Sequence, residues 1–574
     1  MTRRTFFSSF SSCALSFAQP AERPNVLLIV TDDEGWFDLG ANGNPYAETP
    51  ILDRMAREGV RLTHFYCSPV CTPTRAALMT GRHYQRTGAV DTYLGRDTLD
   101  AREVTLGQMF QRAGYRTACI GKWHLGRYMK YHPNERGFDE FFGFWQYGFI
   151  NRYDDSDELF ENKTPVETTG YITDVLTNRA LLFLEENRQR PFFLYLAYNA
   201  PHAPYLAPDA YIERFLNNGL PLQEARIYGM NACLDANIGR LLHALEIHGL
   251  SGKTIILFMS DNGGVSRFFK AGLRGNKGSV YEGGIRSPFI ARWPERFPAG
   301  AVVSSMAQHI DVLPTLADLA DIGPPVENPL DGRSFARLLR DGRGESAHEF
   351  LFSQWNRGYP VLESVPGHAE LRANWAVRDR QGLKFHSNGE LYDLAADPSE
   401  KNNLAARRAD DAARLRREFE KFFADVWGSR RHSRVPIEVG RPDENPVEID
   451  LTWAHPVGQK IKPTYRHYNR DTIENWTDPS EYLRWDVDVV ASGVYDIELS
   501  YGCRPGAQGS RVRFHARSQA VDYTVQPTGG RDVFARFSAG RMALERGRQW
   551  LELRAVHIAH QEPFLLHKLW LRRL

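Results

Sequence analysis

The stretch Asn25-Val26-Leu27-Leu28-Ile29-Val30-Thr31-Asp32-Asp33 is a short unbroken apolar run that stops on two carboxylates. An apolar run of that length without alternation fits a strand buried on both faces, as in a parallel sheet between helices. The pattern recurs downstream. TACI (117–120) runs into GKWHLG (121–126), FFLYLAY (192–198) into NAPHAP (199–204), and TIILFMS (254–260) into Asp261-Asn262-Gly263-Gly264. Helical spacing appears between them at 104–113 (VTLGQMFQRA) and at 49–58 (TPILDRMARE), where Thr49 suits the N-cap, Pro50 the first turn and Gly59 the end. The alternation predicts an α/β fold on a large mixed, mostly parallel sheet flanked by helices, over residues 23–345. In open α/β sheets ligands bind beyond the carboxyl ends of the strands, so these polar clusters, far apart in sequence, are expected to meet there.

The texture changes after this unit. EFLFSQ, WAVRD, LKFHS and ELYDL are short strand-like pieces, followed by a charged helix from about 406 to 423, which predicts a small α+β subdomain over 346–430. Residues 431–447 lie in a stretch that is first basic and then Pro-rich (SRRHSRVPIEVGRPDENP), the composition of a linker. Beyond it, YLRWDVDVV (482–490), GVYDIELSY (493–501), RVRFHA (511–516), WLELRAVHI (550–558) and LLHKLWL (565–571) alternate apolar and polar residues, predicting an appended β-sandwich over 448–574. Trp453, Tyr465, Tyr468, Trp476 and Trp485 near its start would suit either a core or an exposed platform for sugar rings; Trp485, in alternation with Leu483 and Val487, belongs to the core. The domain resembles carbohydrate-binding modules and could equally serve packing.

Lys plus Arg number 71 and Asp plus Glu 70, so no global field exists to hold nucleic acid, and an anionic ligand must be gripped locally. Residues 1–18, with Arg3, Arg4, a modest apolar stretch and small residues at Ser16 and Ala18, read as a signal peptide, of twin-arginine or ordinary type. The expected location is periplasmic or extracellular. No later apolar run reaches the roughly 18 residues of a membrane span, so no integral membrane segment is expected. Cys67, Cys71, Cys119, Cys233 and Cys503 are an odd, scattered set, which argues against a disulfide framework.

The most informative cysteine opens Cys71-Thr72-Pro73-Thr74-Arg75-Ala76-Ala77-Leu78-Met79-Thr80-Gly81. Pro73 fits a helix's first turn, which sets Cys71 just ahead of a helix N-terminus, where amides and dipole favour an anion. Taken alone, Cys71 reads as a buried structural cysteine. Cys-x-Pro-Thr-Arg with Leu78 and Thr80-Gly81 resembles the modification signature of the type I, formylglycine-dependent sulfatases, arylsulfatase-like enzymes with the alkaline phosphatase superfamily fold. Many members have Ser where this chain has Thr74. The resemblance extends from about Arg23 to Leu404.

Several roles follow from that resemblance. Cys71 would be oxidised to formylglycine by a formylglycine-generating enzyme, and its hydrate would supply the nucleophile. Asp32, Asp33, Asp261 and Asn262, with residue 71, would bind a metal, Ca²⁺ before Mg²⁺; the all-oxygen set of side chains suits such hard cations. By itself Asp32-Asp33 is as compatible with a turn or a helix cap. Lys122, His124, His202 and Lys277 match positions that bind the sulfate group, with His202 as proton donor to the leaving alcohol and His124 as base in the second half-reaction. Arg75 pairs with the aldehyde hydrate and, with the lysines, neutralises the sulfate. Glu282, Arg286 and Asp311 read as buried polar scaffold. The implied activity is hydrolysis of sulfate esters of sulfated carbohydrates, with aryl sulfates as generic substrates. A phosphonate or phosphate ester hydrolase of the same superfamily, or an inactive carbohydrate-binding protein, are the alternatives.

Overall fold

Four strands, labelled β1 (Asn25–Thr31), β2 (Arg116–Lys122), β3 (Phe192–Ala197) and β4 (Thr254–Ser260), form the centre of the chain's largest sheet. The computed structural model describes residues 23–93, 95–356, 373–428, 435–464 and 471–574, so the expected signal peptide (1–18), Tyr465 and Tyr468 lie outside the described residues. The spatial order is β4-β1-β3-β2, all parallel. Glu140–Phe144 continues the parallel set beyond β2, and Phe289–Arg292 joins β4 antiparallel, within a mixed sheet of ten strands. The unbroken apolar runs are explained by burial on both faces. Val26, Leu28 and Val30 enter one core with Phe193 and Ile255, while Leu27 and Ile29 enter the other with Leu194 and Ile256. Each such side chain contributes about 1.5–3 kcal/mol by leaving water.

Helix ends differ in detail from their sequence signals. The first helix runs Pro50–Glu58, but the Thr49 side chain does not cap it; its Oγ1 accepts the Gly40 N–H, and the Asp235 carboxylate takes the Ile51 and Leu52 N–H groups instead. A partner distant in sequence therefore replaces the local cap. Leu106–Arg112 is capped as its sequence allows, by reciprocal bonds between Thr105 and Gln108. Among the described residues no helix is long and apolar enough to cross a membrane, and Cys67, Cys71, Cys119, Cys233 and Cys503 are all free and buried.

Phe350–Gln354, Trp375–Asp379, Leu383–His386 and Leu391–Asp393 form a four-stranded antiparallel sheet. Helix Ala409–Gly428 covers it, stacking Phe419 on Trp375 at 3.9 Å. Lys384 of this sheet is buried between Glu282 and Glu400, at 2.9 and 3.0 Å, and His348 pairs with Asp311 at 2.7 Å. The remaining scaffold residue, Arg286, stacks on Trp36 and donates to the Thr63 carbonyl.

The C-terminal part folds as two six-stranded sheets around one apolar core. Part of the expected linker belongs to it: Ile437–Val439 pairs in parallel with Tyr482–Val489, and Val447–Glu448 pairs with Leu565–Arg573. Ile437, Val439 and Val447 are buried in that core, so three apolar residues outweigh the Pro-rich, charged composition around them. Trp453, Trp476 and Trp485 are buried as well, which removes them from any exposed sugar platform. Their size fills the core; Trp476 and Trp485 also satisfy their indole N–H groups on the Glu481 and Asp450 carbonyls.

Candidate active site

The carboxyl ends of β1, β2, β3 and β4 converge. Asp261 N–H reaches the Thr31 carbonyl at 3.1 Å, and Asp32 N–H the Ala200 carbonyl at 3.0 Å, tying the ends of three strands into one floor. Helix Cys71–Thr80 points its N-terminus at that floor, and all ten of its residues are buried. Cys71 is its first residue rather than the one before it, with Val70 as the cap. Pro73 falls in the first turn, where a missing N–H costs nothing. Thr74 Oγ1 accepts the Ser68 N–H at 2.9 Å, a bond that needs only a hydroxyl and that serine could also make.

Every residue expected at the site is brought to it. Cys71 Sγ lies 3.4 Å from Asp32 Oδ1, and ligand atoms of Asp32, Asp33, Cys71 and Asp261 all fall within 4.8 Å of one another. Three cations face the three carboxylates: Lys122 Nζ is 2.6 Å from Asp32, Arg75 Nη2 2.8 Å from Asp261, and Lys277 Nζ 2.5 Å from Asp33. Arg75 also donates to the Lys122 carbonyl and to the Tyr195 hydroxyl. Asn262 donates to Asp33 at 3.0 Å. His202 Nε2 stands 3.9 Å from Asp33, and His124 Nε2 bonds the Thr92 carbonyl at 2.9 Å.

Burial and charge shape the titration of these groups. Burial, with Asp261 next in effect, pushes the Cys71 thiol well up, so it is held protonated. Burial raises Asp261 too, reinforced by Asp32 and opposed by Arg75. Asp33 goes the other way: burial opposes its charge, but Lys277 and His202 hold it well down. Burial and Lys277 depress His202 to about 3, and burial and Lys122 depress His124 well below the usual range, so both imidazoles are neutral. An anion beside Lys277 would offset its charge and favour a proton on His202.

The residues present fit a hard divalent cation. Oδ1 of Asn262 is buried without a hydrogen-bond partner, an unfilled acceptor beside three carboxylates. Three carboxylates balanced by three cations leave the site near neutral, so a divalent ion would give it the positive charge an anionic ester needs. The only soft donor in the set is Cys71 Sγ, which suits neither Ca²⁺ nor Mg²⁺.

The Lys277 loop reaches the floor because Gly263 lies against Gly283 and Gly284; a Cβ on Gly263 would stand 2.2 Å from the Gly283 carbonyl oxygen. Lys277 and His202 keep 22% and 20% of their side chains exposed, while those of Asp32, Arg75 and Lys122 keep 1% or less. The mouth is therefore on the Lys277 and His202 side. Sequence reasoning missed Tyr195, a polar tip inside an apolar strand, and Thr92 and Gly148, which hold His124. A Cβ on Gly148 would stand 2.2 Å from the imidazole, so the ring is clamped by backbone. No local pattern marks either residue.

Comparison with known proteins identifies the family of the chain. The family model for sulfatases matches residues 24–322, and a model for the C-terminal part of N-sulphoglucosamine sulphohydrolase matches 275–425. N-acetylgalactosamine-6-sulfatase of Sus scrofa is 31% identical over 512 residues, covering 80% of this chain and 95% of its own. The same enzyme of Canis lupus familiaris is 36% identical over 503 residues, covering 79% and 94%. Among solved structures, Ps i-CgsB in complex with k-i-k-neocarrahexaose matches 72% of this chain and 95% of its own at 30% identity, with a TM-score of 0.64. With the family model spanning the strand ends and helix that build this floor, the chain belongs to the sulfatase family and is a hydrolase of sulfuric esters.

Proposed function

We propose that the chain hydrolyses sulfate esters of sulfated carbohydrates through a nucleophile made from Cys71. The observation that carries this reading is the mismatch at residue 71: a buried thiol lies among oxygen donors suited to a hard cation. Formylglycine at this position removes the mismatch, because its hydrate presents oxygen to the ion. Converted in this way, residue 71 would supply one hydroxyl that bonds to sulfur as the alcohol leaves, and a second whose collapse to the aldehyde would release sulfate. A sulfated serine would lack that exit. When bound at Asp32, Asp33, Asp261 and Asn262, Ca²⁺, with Mg²⁺ as alternative, supplies charge that polarises a sulfate oxygen.

The remaining roles are those the sulfatase resemblance implies, and the depth of Arg75, Lys122, Lys277 and His202 supports theirs. Arg75 and Lys122, sealed at the floor, hold the nucleophile's oxygens and the inner sulfate oxygens. Lys277 neutralises the sulfate from the mouth. His202, also at the mouth, lies where the leaving alcohol must depart and serves as its proton donor; His124 takes the proton in the second half-reaction. The sulfated-carbohydrate substrate class rests on relatives described as N-acetylgalactosamine-6-sulfatases and on a relative in complex with a neocarrahexaose. The test is a matched panel of sulfated monosaccharides, an aryl sulfate and a phosphonate ester. Faster turnover of the sulfate esters, abolished by chelator and restored by Ca²⁺, is expected; a strong preference for phosphonate contradicts the reading.

A further inference from the structure

The two family matches end at residues 322 and 425, and the solved relative is matched along 95% of its own length while matching 72% of this chain. The sandwich thus lies beyond the segments the two family models match, but it is not remote from them. Its turn Leu451–Trp453, capped by Asp450, is wedged between two segments that frame His124. On one side is loop 91–97. Thr92 of that loop holds His124 Nε2 through its carbonyl, and the Asp91 carboxylate ties the loop to Arg96 at 2.6 Å. The loop leans on the sandwich at Gly95, where a Cβ would stand 2.7 Å from the Trp453 ring. Gly95 also has φ +69, a conformation that favours glycine, so the contact is set by backbone on one side and a buried indole on the other.

On the other side is the chain that leaves His124. Arg127 makes an ion pair with Asp450 and lies over the Tyr147 ring at 4.5 Å. Tyr128 meets Trp453 edge to face at 5.1 Å, and its hydroxyl accepts the Asp450 N–H. Tyr128 and Tyr131 are counted within the apolar core of the sandwich itself, so the two parts share a core at this point. Asp450 is held from behind by Trp485, whose indole N–H bonds its carbonyl at 2.9 Å. Thus one hydrogen-bonded turn of the sandwich contacts both the loop that bonds His124 and the segment that continues from it.

We infer that Asp450 and Trp453 are positioning residues for His124, and that the sandwich is a structural part of the catalytic wall. The inference rests on the sulfatase reading of His124. Neither residue touches the reacting atoms; they act by fixing Thr92 and residues 124–128.

The test uses the full chain with Trp453→Ala, Trp453→Phe and Arg127→Ala. Turnover of a small aryl sulfate and hydrogen exchange of amides 91–98 are followed together. Trp453→Ala is expected to lower kcat about tenfold with KM within about threefold, since small misplacement of a catalytic group costs that much or more. Exchange at 91–98 should rise in the same variant, and Trp453→Phe should restore most of both. Arg127→Ala, which removes no apolar side chain from the sandwich core, should move both readouts in the same direction, and a thermal midpoint measured beside them separates positioning from misfolding of the sandwich. Wild-type exchange and wild-type kcat in folded Trp453→Ala and Arg127→Ala would overturn the inference. Absence of sulfate ester hydrolysis in the wild type would sink the sulfatase reading instead, while the exchange comparison still decides whether the turn braces the loop.

Discussion

Around Cys71, Asp32, Arg75, Lys122 and Asp261 are sealed from solvent and satisfy one another, whereas the sandwich keeps pairs such as Arg513 with Asp522 and Arg517 with Glu545 on its outer faces. Its interior is Leu483, Trp485, Val487 and their neighbours. Removing charges from water costs several kcal/mol per ion even after pairing, so a cluster like the one at the strand ends is a poor way to build stability. It is retained where charge must act on a substrate. The sandwich, with no such demand on its core, alternates apolar and polar residues along strands such as Tyr482–Val489. The two regions should therefore respond in opposite ways to substitution, in activity at the floor and in stability in the sandwich.

The largest effect expected is on turnover. Cys71→Ala should lower sulfate ester hydrolysis by at least about 10³-fold, because no other group in the site can take over a covalent step. Its thermal midpoint should stay near the wild type, since a small buried side chain replaces another. Arg75→Ala should abolish turnover and also cost about 3–5 kcal/mol in denaturant unfolding, by leaving Asp261 buried without its cation. A mild effect on stability would mean that Asp261 finds another partner and would blur the contrast.

The next effect depends on pH. Burial alone would raise Glu400, but Lys384 and His386 hold it down at about 2 from an ordinary 4.5. Between those values the unfolded chain binds the proton that the folded one does not, so lowering the pH favours unfolding. The stabilisation is fully present above pH 4.5 and is lost as pH falls toward 2. Glu400→Gln should therefore flatten the acid limb of stability against pH, by on the order of 2–3 kcal/mol, in urea titrations at stepped pH. The smallest effect belongs to the sandwich surface: Arg517→Ala should change unfolding free energy by less than about 0.5 kcal/mol and leave kinetics untouched.

The same contrast governs what could be read from the sequence. Strands β1 to β4 were legible because burial on both faces leaves an unbroken apolar run, and their ends because Asp32, Lys122, His202 and Asp261 interrupt it abruptly. Thr92, Gly148 and Tyr195 were not legible, since each acts only through a partner distant in sequence. In the sandwich, Phe534–Leu544 escaped notice because a bulge opposite Ile497 and Glu498 shifts its register and breaks the alternation. Ile437–Val439 escaped because a three-residue edge strand carries too little pattern to outweigh the prolines beside it. Trp453 shows the limit most clearly. Its burial against Gly95 depends on where two parts of the chain distant in sequence meet, and no periodicity records that.

The chemistry of the site turns on the identity of residue 71 in the working enzyme. Peptide mass spectrometry across residues 71–75 of active native protein tests it directly. The thiol is expected to have been replaced by an aldehyde, with loss of activity in any fraction that keeps the cysteine. An unmodified thiol at position 71 in fully active protein would contradict it.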